Sequence, residues 1–110
     1  MLLDLDGFKP INDQYGHEVG DQLLRAVSQR FRRSLPSHST LARLGGDEFA
    51  IILTPTTADS TLLVEQRLRK MIAEDKVLSE LKLSASMGHE NWHRTMSALE
   101  LFRKADIALY

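Results

Sequence analysis

The sequence predicts an α+β domain, a ferredoxin-like βαββαβ core with an added C-terminal helix and an antiparallel central sheet. Four short stretches are typical of strands, and three longer stretches carry apolar residues at helical spacing. Their order along the chain is that of a split βαβ unit. A chain of 110 residues, 43% hydrophobic and 26% charged, suffices for one core. We therefore expect a single domain over residues 1–110.

The first element is a buried strand predicted at residues 1–5, with Asp4 and Asp6 at its carboxyl end. Side chains two residues apart on a strand lie on the same face, so both carboxylates can point to one spot. Gly7 then turns the chain. Residues 8–16 are predicted to form a compact loop or a single helical turn.

The first long helix is predicted from an apolar stripe that recurs every four residues. The stripe consists of Val19, Leu23, Val27, Phe31 and Leu35, widened by Leu24 and Ala26. Four arginines mostly occupy the other face and are interpreted as solvated surface: Arg25, Arg30, Arg32 and Arg33. The segment that follows, residues 36–39, is predicted to end the helix.

A tight hairpin is predicted to join two strands, at residues 40–44 and 49–54. Its turn contains Gly45 and Gly46, which carry no side chain that would keep a ligand away from the backbone. Two adjacent carboxylates, Asp47 and Glu48, follow directly. Taken alone, the pattern is more often an ordinary Gly-Gly hairpin whose charges face water.

A loop at residues 54–57 leads to a second helix, capped by Asp59 or Ser60. Its predicted inner face is Leu63, Val64, Leu68, Met71 and Ile72. Alternating apolar residues then predict a half-buried strand containing Leu81, Leu83, Ala85 and Met87. A capping box from Ser97 to Glu100 opens the last helix, with an inner face of Leu101, Phe102, Ala105 and Leu109.

The predicted topology brings two acidic pairs together, because the first and third strands are antiparallel neighbours at the sheet centre. Asp4 and Asp6 should meet Asp47 and Glu48 at one edge of the sheet. Several carboxylates at one place repel one another unless cations bind. Two divalent ions about 3.5–4 Å apart are typical of nucleotidyl transfer. Oxygen ligands alone favour Mg²⁺ over Zn²⁺.

Composition and motifs exclude several other classes of protein. The absence of cysteine excludes disulfides and thiolate metal sites, and a net charge of −1 argues against nucleic-acid binding by bulk electrostatics. No apolar run has membrane-spanning length, no signal peptide opens the chain, and no Walker A motif is present. Residues 89–93 match the H-E-x-x-H zinc motif, but they straddle a strand end and a loop, where that motif does not function.

Two long segments resemble the GGDEF family of diguanylate cyclases. One runs from Asp4 to Asp21, D-L-D-G-F-K-P-I-N-D-Q-Y-G-H-E-V-G-D, and the other from Arg43 to Phe49, R-L-G-G-D-E-F. Two later segments are also similar, S-A-S-M-G at 84–88 and R-K-A-D-I-A-L-Y at 103–110. The resemblance implies a nucleotidyl cyclase or palm-like sheet. It also implies condensation of two GTP into cyclic di-GMP with release of pyrophosphate.

The resemblance further implies roles for individual residues. Asp4, Asp47 and the backbone carbonyl of Leu5 would bind Mg²⁺, two ions per site, with Mn²⁺ as an alternative ion. Asp47 would also activate the ribose 3′-hydroxyl for attack on the partner's α-phosphate. Glu48 would be a further acidic catalytic group, and Lys9 would stabilise charge on the phosphates.

Substrate recognition is implied at other positions. Asn12 and Asp21 would bind guanine, His17 would line the same pocket, and Gly45 and Gly46 would let the nucleotide approach. The Asp21 carboxylate can accept hydrogen bonds from N1 and N2 of guanine, donors that adenine lacks. Structural alternatives stay open here: a helix-start turn at Asn12, a helix cap at His17, and an ion pair of Asp21 with Arg25.

Three departures from the family pattern stand out. Pro36-Ser-His-Ser39 occupies the place of the Arg-x-x-Asp inhibitory site, so feedback through that site should be lost. The chain stops at Tyr110, before an Ala-Lys-x-x-Gly-Arg segment that grips phosphates. The leading helix and Asp-x-Leu-Thr segment are missing before Met1. We therefore expect a GGDEF catalytic domain truncated at both ends.

The implied context is a bacterial signalling protein. One GTP would bind per protomer of a catalytic homodimer, and a sensory or dimerising domain would be fused in the parent chain. The domain is expected in the cytoplasm, and the sequence leaves open whether the parent is membrane-anchored. Two alternatives remain, a catalytically inactive GTP- or cyclic-dinucleotide-binding regulatory domain and a pure dimerisation element.

Overall fold

A computed structural model describes residues 1–54 and 58–110 of the chain. Its elements in order are β1 (Leu2–Asp6), α1 (Phe8–Tyr15), α2 (His17–Ser34), β2 (Thr40–Gly45), β3 (Glu48–Ile52), α3 (Ala58–Glu74), α4 (Lys76–Glu80), β4 (Ser84–Gly88) and α5 (Ala98–Leu109). The predicted loop at 54–57 falls largely on residues 55–57, which lie outside the described part. None of the described helices has the length and apolar character needed to cross a membrane.

The four strands form one antiparallel sheet in the order β2-β3-β1-β4, which confirms the predicted ferredoxin-like topology. β1 lies at the centre of this order, between β3 and β4. Asp4 is opposite Glu48 on one side and Ser86 on the other. The carboxyl end of β1 therefore lies beside the β2–β3 hairpin, as predicted.

The two faces of the sheet carry different layers because side chains alternate along each strand. Leu3 and Leu5 belong to the main core together with buried residues of α1, α2 and α3. Phe31 of α2 packs edge-to-face on Phe49 of β3, with ring centroids 5.4 Å apart. Asp4 points to the opposite face, which α5 covers through contacts with β1 and β4.

Two helices were not predicted. Residues 8–15 form α1 rather than a loop or single turn, and burial of Phe8 and Ile11 anchors this helix. Pro10 is compatible with α1 because it lies in the first turn, where backbone N–H groups have no helical partner. The short helix α4 is capped by Asp75, whose side chain accepts from the Leu78 N–H at 3.0 Å.

Three predicted core positions are wrong, namely Val19, Leu63 and Phe102, which are exposed. A stripe that repeats every four residues turns about 40° beyond a full circle at each step, so its ends diverge from the core. Val19 at the start of α2 is such an end, and Leu63 flanks the buried stripe of α3. The predicted cap is also wrong, because Asp59 and Ser60 lie inside the first turn of α3.

The last helix begins as predicted. The Ser97 side chain accepts a hydrogen bond from the Glu100 N–H at 3.1 Å and caps α5. Ala105 is buried on its inner face. An added Cβ at Gly88 of β4 would lie 2.5 Å from the Ala105 carbonyl oxygen, so the helix backbone rests directly on the strand.

Candidate functional site

One backbone hydrogen bond holds the hairpin turn against the central strand, and one side-chain hydrogen bond stabilises the turn itself. The Leu5 N–H donates to the Asp47 carbonyl oxygen at 3.0 Å. Within the hairpin, Arg43 Nε donates to the Gly46 carbonyl oxygen at 3.0 Å. These bonds place the Asp47 side chain beside Asp4, and the two carboxyl groups are close enough to interact directly.

The turn leaves the backbone bare. Gly46 has a φ of 52°, in the left-handed region that favours glycine. An added Cβ at Gly45 or Gly46 would meet no atom within 4 Å. Conformation therefore favours glycine at position 46, and the space above both glycines is open to a ligand.

The two carboxylates form an electrostatically strained pair. Burial raises the pKa of Asp47, and the negative charge of Asp4 raises this pKa further, with a smaller contribution from Glu48. Asp4 Oδ1 is buried and accepts no hydrogen bond. An orphaned carboxylate oxygen next to a second carboxylate suits a divalent cation. The site residues therefore fit the Mg²⁺ that the sequence predicts.

The four carboxylates that the sequence placed at this sheet edge do not form one metal-binding group in the described part of the chain. Ser86 Oγ donates to Asp6 Oδ2 at 2.8 Å, and Glu48 is exposed. Across residues 1–54 and 58–110, no group of three or more acidic, histidine or cysteine side chains is arranged to hold a metal ion. The chain thus offers two carboxylates, which matches the sites where Mg²⁺ keeps waters and binds substrate phosphates.

Sequence reasoning missed Tyr110, whose hydroxyl donates to Asp4 Oδ2 at 2.8 Å. The hydrogen bond to Asp4, with the charge of that carboxylate, raises the pKa of Tyr110 to about 12. The phenol therefore stays protonated as a donor at neutral pH. The signal available in the sequence is its place at the end of the family-like segment from Arg103 to Tyr110.

A second set of predicted residues lies on α1 and α2. Asn12 Oδ1 is buried without a hydrogen-bond partner, and its amide packs directly over Gly20. An orphaned acceptor of this kind is suited to a donor supplied by a ligand. Lys9, His17 and Asp21 are exposed near these helix ends and remain accessible to solvent.

The structural alternatives for this second set are not realised. Asn12 lies inside α1 rather than at a helix start. Gly16, not His17, is the N-cap residue of α2. No ion pair between Asp21 and Arg25 occurs in the described part of the chain. None of these three side chains therefore takes the structural role that the sequence left open for it.

The H-E-x-x-H match does not form a zinc site of the expected kind. Residues 89–93 lie outside any helix, so the two histidines do not share a helical face. His89 Nδ1 instead lies 3.3 Å from Glu65 Oε2. Glu65 is also paired with Arg69, whose Nη1 donates to the Ala85 carbonyl oxygen at 3.3 Å near the start of β4.

Known proteins resemble the whole chain. The sequence profile described as "Diguanylate cyclase, GGDEF domain" matches residues 1–110. Diguanylate cyclase DosC of Escherichia coli (strain K12) is 37% identical over 114 residues, which cover 100% of this chain and 25% of DosC. Signaling protein YkoW of Bacillus subtilis (strain 168) is 41% identical over 115 residues, 100% of this chain and 14% of YkoW. The chain thus spans about a quarter or less of these relatives.

Solved structures agree with the fold. The active GGEEF domain of a diguanylate cyclase from Vibrio cholerae has a TM-score of 0.85 at 30% identity, covering 99% of this chain and 71% of that one. The GGDEF domain of DgcB from Caulobacter crescentus, solved in complex with c-di-GMP, has a TM-score of 0.83 at 31% identity, covering 99% and 67%.

Proposed function

Because the chain belongs to the GGDEF domain family, we propose that it is a diguanylate cyclase domain. It would condense two GTP into cyclic di-GMP and release two pyrophosphates, with one GTP bound by each protomer of a homodimer. The observation that carries this proposal is the pairing of Asp4 and Asp47 beside an open Gly-Gly turn. A catalytic domain needs this acidic pair, whereas a pure dimerisation element does not.

Asp4, Asp47 and the carbonyl of Leu5 would hold Mg²⁺, or Mn²⁺ in its place. When bound, such an ion neutralises phosphate charge and makes the ribose hydroxyl more acidic. The Asp47 carboxylate would accept the proton of the ribose 3′-hydroxyl. The hydroxyl oxygen would then bond to the α-phosphorus of the other GTP as pyrophosphate leaves. A raised pKa brings an acid nearer the operating pH and suits a proton acceptor.

Two other charged side chains would act electrostatically, one on the phosphates and one on Asp47. Lys9 is exposed in the first turn of α1, where its ammonium can reach bound phosphates. Glu48 is also exposed and lies opposite Asp4 in the sheet. Its charge raises the pKa of Asp47, which supports an electrostatic role for Glu48 on the neighbouring base.

Guanine recognition would use acceptors on α1 and α2. The unpartnered Asn12 Oδ1 and the exposed Asp21 carboxylate can accept from N1 and N2 of guanine. Adenine offers no donors at these positions, so ATP would leave both acceptors, including the buried Asn12 Oδ1, without a partner. His17, the first residue of α2, would line the same pocket.

We expect Gly20→Ala to raise the KM for GTP about tenfold, because the added methyl displaces the Asn12 amide and one hydrogen bond to guanine is lost. Steady-state kinetics at saturating Mg²⁺ measures the effect. Gln29→Ala, an exposed position on the same helix, is the control. An unchanged KM in Gly20→Ala would mean that Asn12 does not bind guanine.

Cyclic di-GMP should inhibit the enzyme only in competition with GTP. Pro36 and Ser39 carry no charge, and the nearby Arg32 guanidinium already donates to the Ser39 carbonyl oxygen at 2.8 Å and the Ser37 carbonyl oxygen at 3.2 Å. Positions 36 and 39, where the family pattern has Arg and Asp, therefore offer no charged pair to bind cyclic di-GMP. Initial rates over a grid of GTP and cyclic di-GMP concentrations test this expectation, with a GGDEF enzyme that has Arg-x-x-Asp as the positive control. Inhibition that persists at saturating GTP would contradict it.

The proposed function is tested by incubation with GTP and Mg²⁺ and separation of the products by chromatography. Parallel samples contain EDTA, or ATP in place of GTP. Formation of cyclic di-GMP that requires Mg²⁺ supports the proposal. Mg²⁺-dependent GTP binding without turnover would favour the regulatory alternative, and absence of binding would favour a dimerisation element.

A further inference from the structure

The Asp4 carboxylate is held asymmetrically. Its Oδ2 accepts the Tyr110 hydroxyl, whereas Oδ1 is buried without a partner. From this arrangement we propose that Tyr110 is a positioning residue, which fixes the Asp4 carboxylate so that Oδ1 is presented to the cation beside Asp47. The inference rests on the proposed function, since it concerns the metal site of that reaction.

Burial does not account for the position of Tyr110. The residue is 81% exposed, so its ring contributes little to the apolar core. Its hydroxyl nevertheless reaches across from the end of α5 to β1. The main interaction of the Tyr110 side chain is therefore the hydrogen bond from its hydroxyl to the Asp4 carboxylate.

The rest of α5 provides the rigidity that such a role requires. The helix backbone rests on Gly88 of β4, and Ala105 is buried between helix and sheet. The Tyr110 N–H continues the helical pattern by donating to the Asp106 carbonyl oxygen at 3.4 Å. A rigid helix end can hold a hydroxyl at a defined place relative to β1.

Fixing Asp4 should strengthen metal binding for a simple reason. The terminal torsion of an aspartate has a broad preference, so a free carboxylate must be ordered when the ion binds. A donor on Oδ2 orders it beforehand and leaves Oδ1 for the ion. Partners of metal ligands typically contribute tenfold to a hundredfold in metal affinity. We expect about tenfold here, because the phenol is exposed to solvent.

The experiment compares Mn²⁺ binding by the metal-free wild-type chain and Tyr110→Phe, from the decrease of the free Mn²⁺ signal in electron paramagnetic resonance. We expect about tenfold weaker binding in Tyr110→Phe. Tyr15→Phe is the matched control, because it removes a hydroxyl from another exposed tyrosine and should bind like wild type. Thermal unfolding of the metal-free proteins should show the same midpoint for all three.

Kinetics adds a second readout. In Tyr110→Phe, the Mn²⁺ concentration for half-maximal cyclic di-GMP formation should rise about tenfold. The rate at saturating Mn²⁺ should stay close to wild type, because a saturating ion restores the ligand geometry.

The outcomes separate the two proposals. Wild-type Mn²⁺ binding with equal affinity in Tyr110→Phe would overturn the positioning role and leave the proposed function intact. A lower unfolding midpoint with unchanged Mn²⁺ affinity would make Tyr110 a purely structural residue and also overturn it. Failure of the wild type both to bind Mn²⁺ and to form cyclic di-GMP would overturn the proposed function, and the positioning role with it.

Discussion

Asp47→Asn is expected to reduce cyclic di-GMP formation about a thousandfold while stabilising the metal-free protein at neutral pH. The loss of activity follows because the amide cannot accept the proton and is a poorer cation ligand. Metal stabilisation of developing charge contributes several kcal/mol, and each ~1.4 kcal/mol corresponds to a factor of ten in rate. The rate of cyclic di-GMP formation per enzyme at saturating GTP and Mg²⁺ measures this loss of activity.

The gain in stability comes from removing repulsion between Asp47 and Asp4. Burial and the Asp4 charge raise the pKa of Asp47 in the folded state above its unfolded value. This carboxyl therefore contributes stability below its unfolded pKa, and that contribution is lost as the pH rises through the folded pKa. Asparagine does not titrate, so the variant should exceed wild type in stability at neutral pH, and its advantage should fade on acidification.

Thermal unfolding in EDTA at several pH values tests this second effect. Asp59→Asn is the control, since Asp59 is exposed on α3 and belongs neither to β1 nor to the hairpin turn. It should retain activity and show no comparable pH-dependent gain. Wild-type activity in Asp47→Asn would contradict the catalytic role, and equal stability at neutral pH would contradict the electrostatic strain.

Gly88→Ala should destabilise the protein by about 3 kcal/mol, at the upper end of overpacking costs. The added methyl would meet the backbone of α5, including the Ala105 carbonyl oxygen at 2.5 Å and the Ala108 carbonyl carbon at 2.7 Å. Backbone atoms cannot rotate away as a side chain can, so the whole helix must shift. Urea unfolding followed by circular dichroism gives the change in free energy of unfolding.

Gly20→Ala is the matched control for this stability effect. Its added methyl meets mainly the Asn12 amide, which is the movable end of a side chain, with Asn12 Cγ at 2.9 Å. The helix also gains up to about 1 kcal/mol when alanine replaces glycine. We expect a nearly unchanged stability for Gly20→Ala. Similar losses in free energy of unfolding in both variants would show that the close contact between α5 and β4 does not determine the cost at Gly88.

Local sequence patterns predicted much of the fold. Alternating apolar residues and the Gly45-Gly46 turn identified the strands, and the order of elements then placed β1 between β3 and β4. From that topology alone, Asp4 was expected beside Asp47, and the two side chains do interact. The Ser97 cap was likewise predictable, because capping depends on residues within one helical turn.

Other features depended on how distant elements pack. The sequence suggested that Asp6 joins the acidic cluster, but Ser86, 80 positions along the chain, holds its carboxylate instead. Val19 matched an apolar stripe yet is exposed, since the stripe rotates away from the core.

The sequence by itself determined the strand order, the bare turn and the two carboxylates that meet there. Only the tertiary structure decided that Tyr110, 106 positions from Asp4, holds one oxygen of that carboxylate and leaves the other free. Periodicity and turn chemistry act over a few residues. The direction in which a side chain at the end of α5 points is decided by how closely the helix backbone docks on Gly88, a contact between elements that no local pattern encodes.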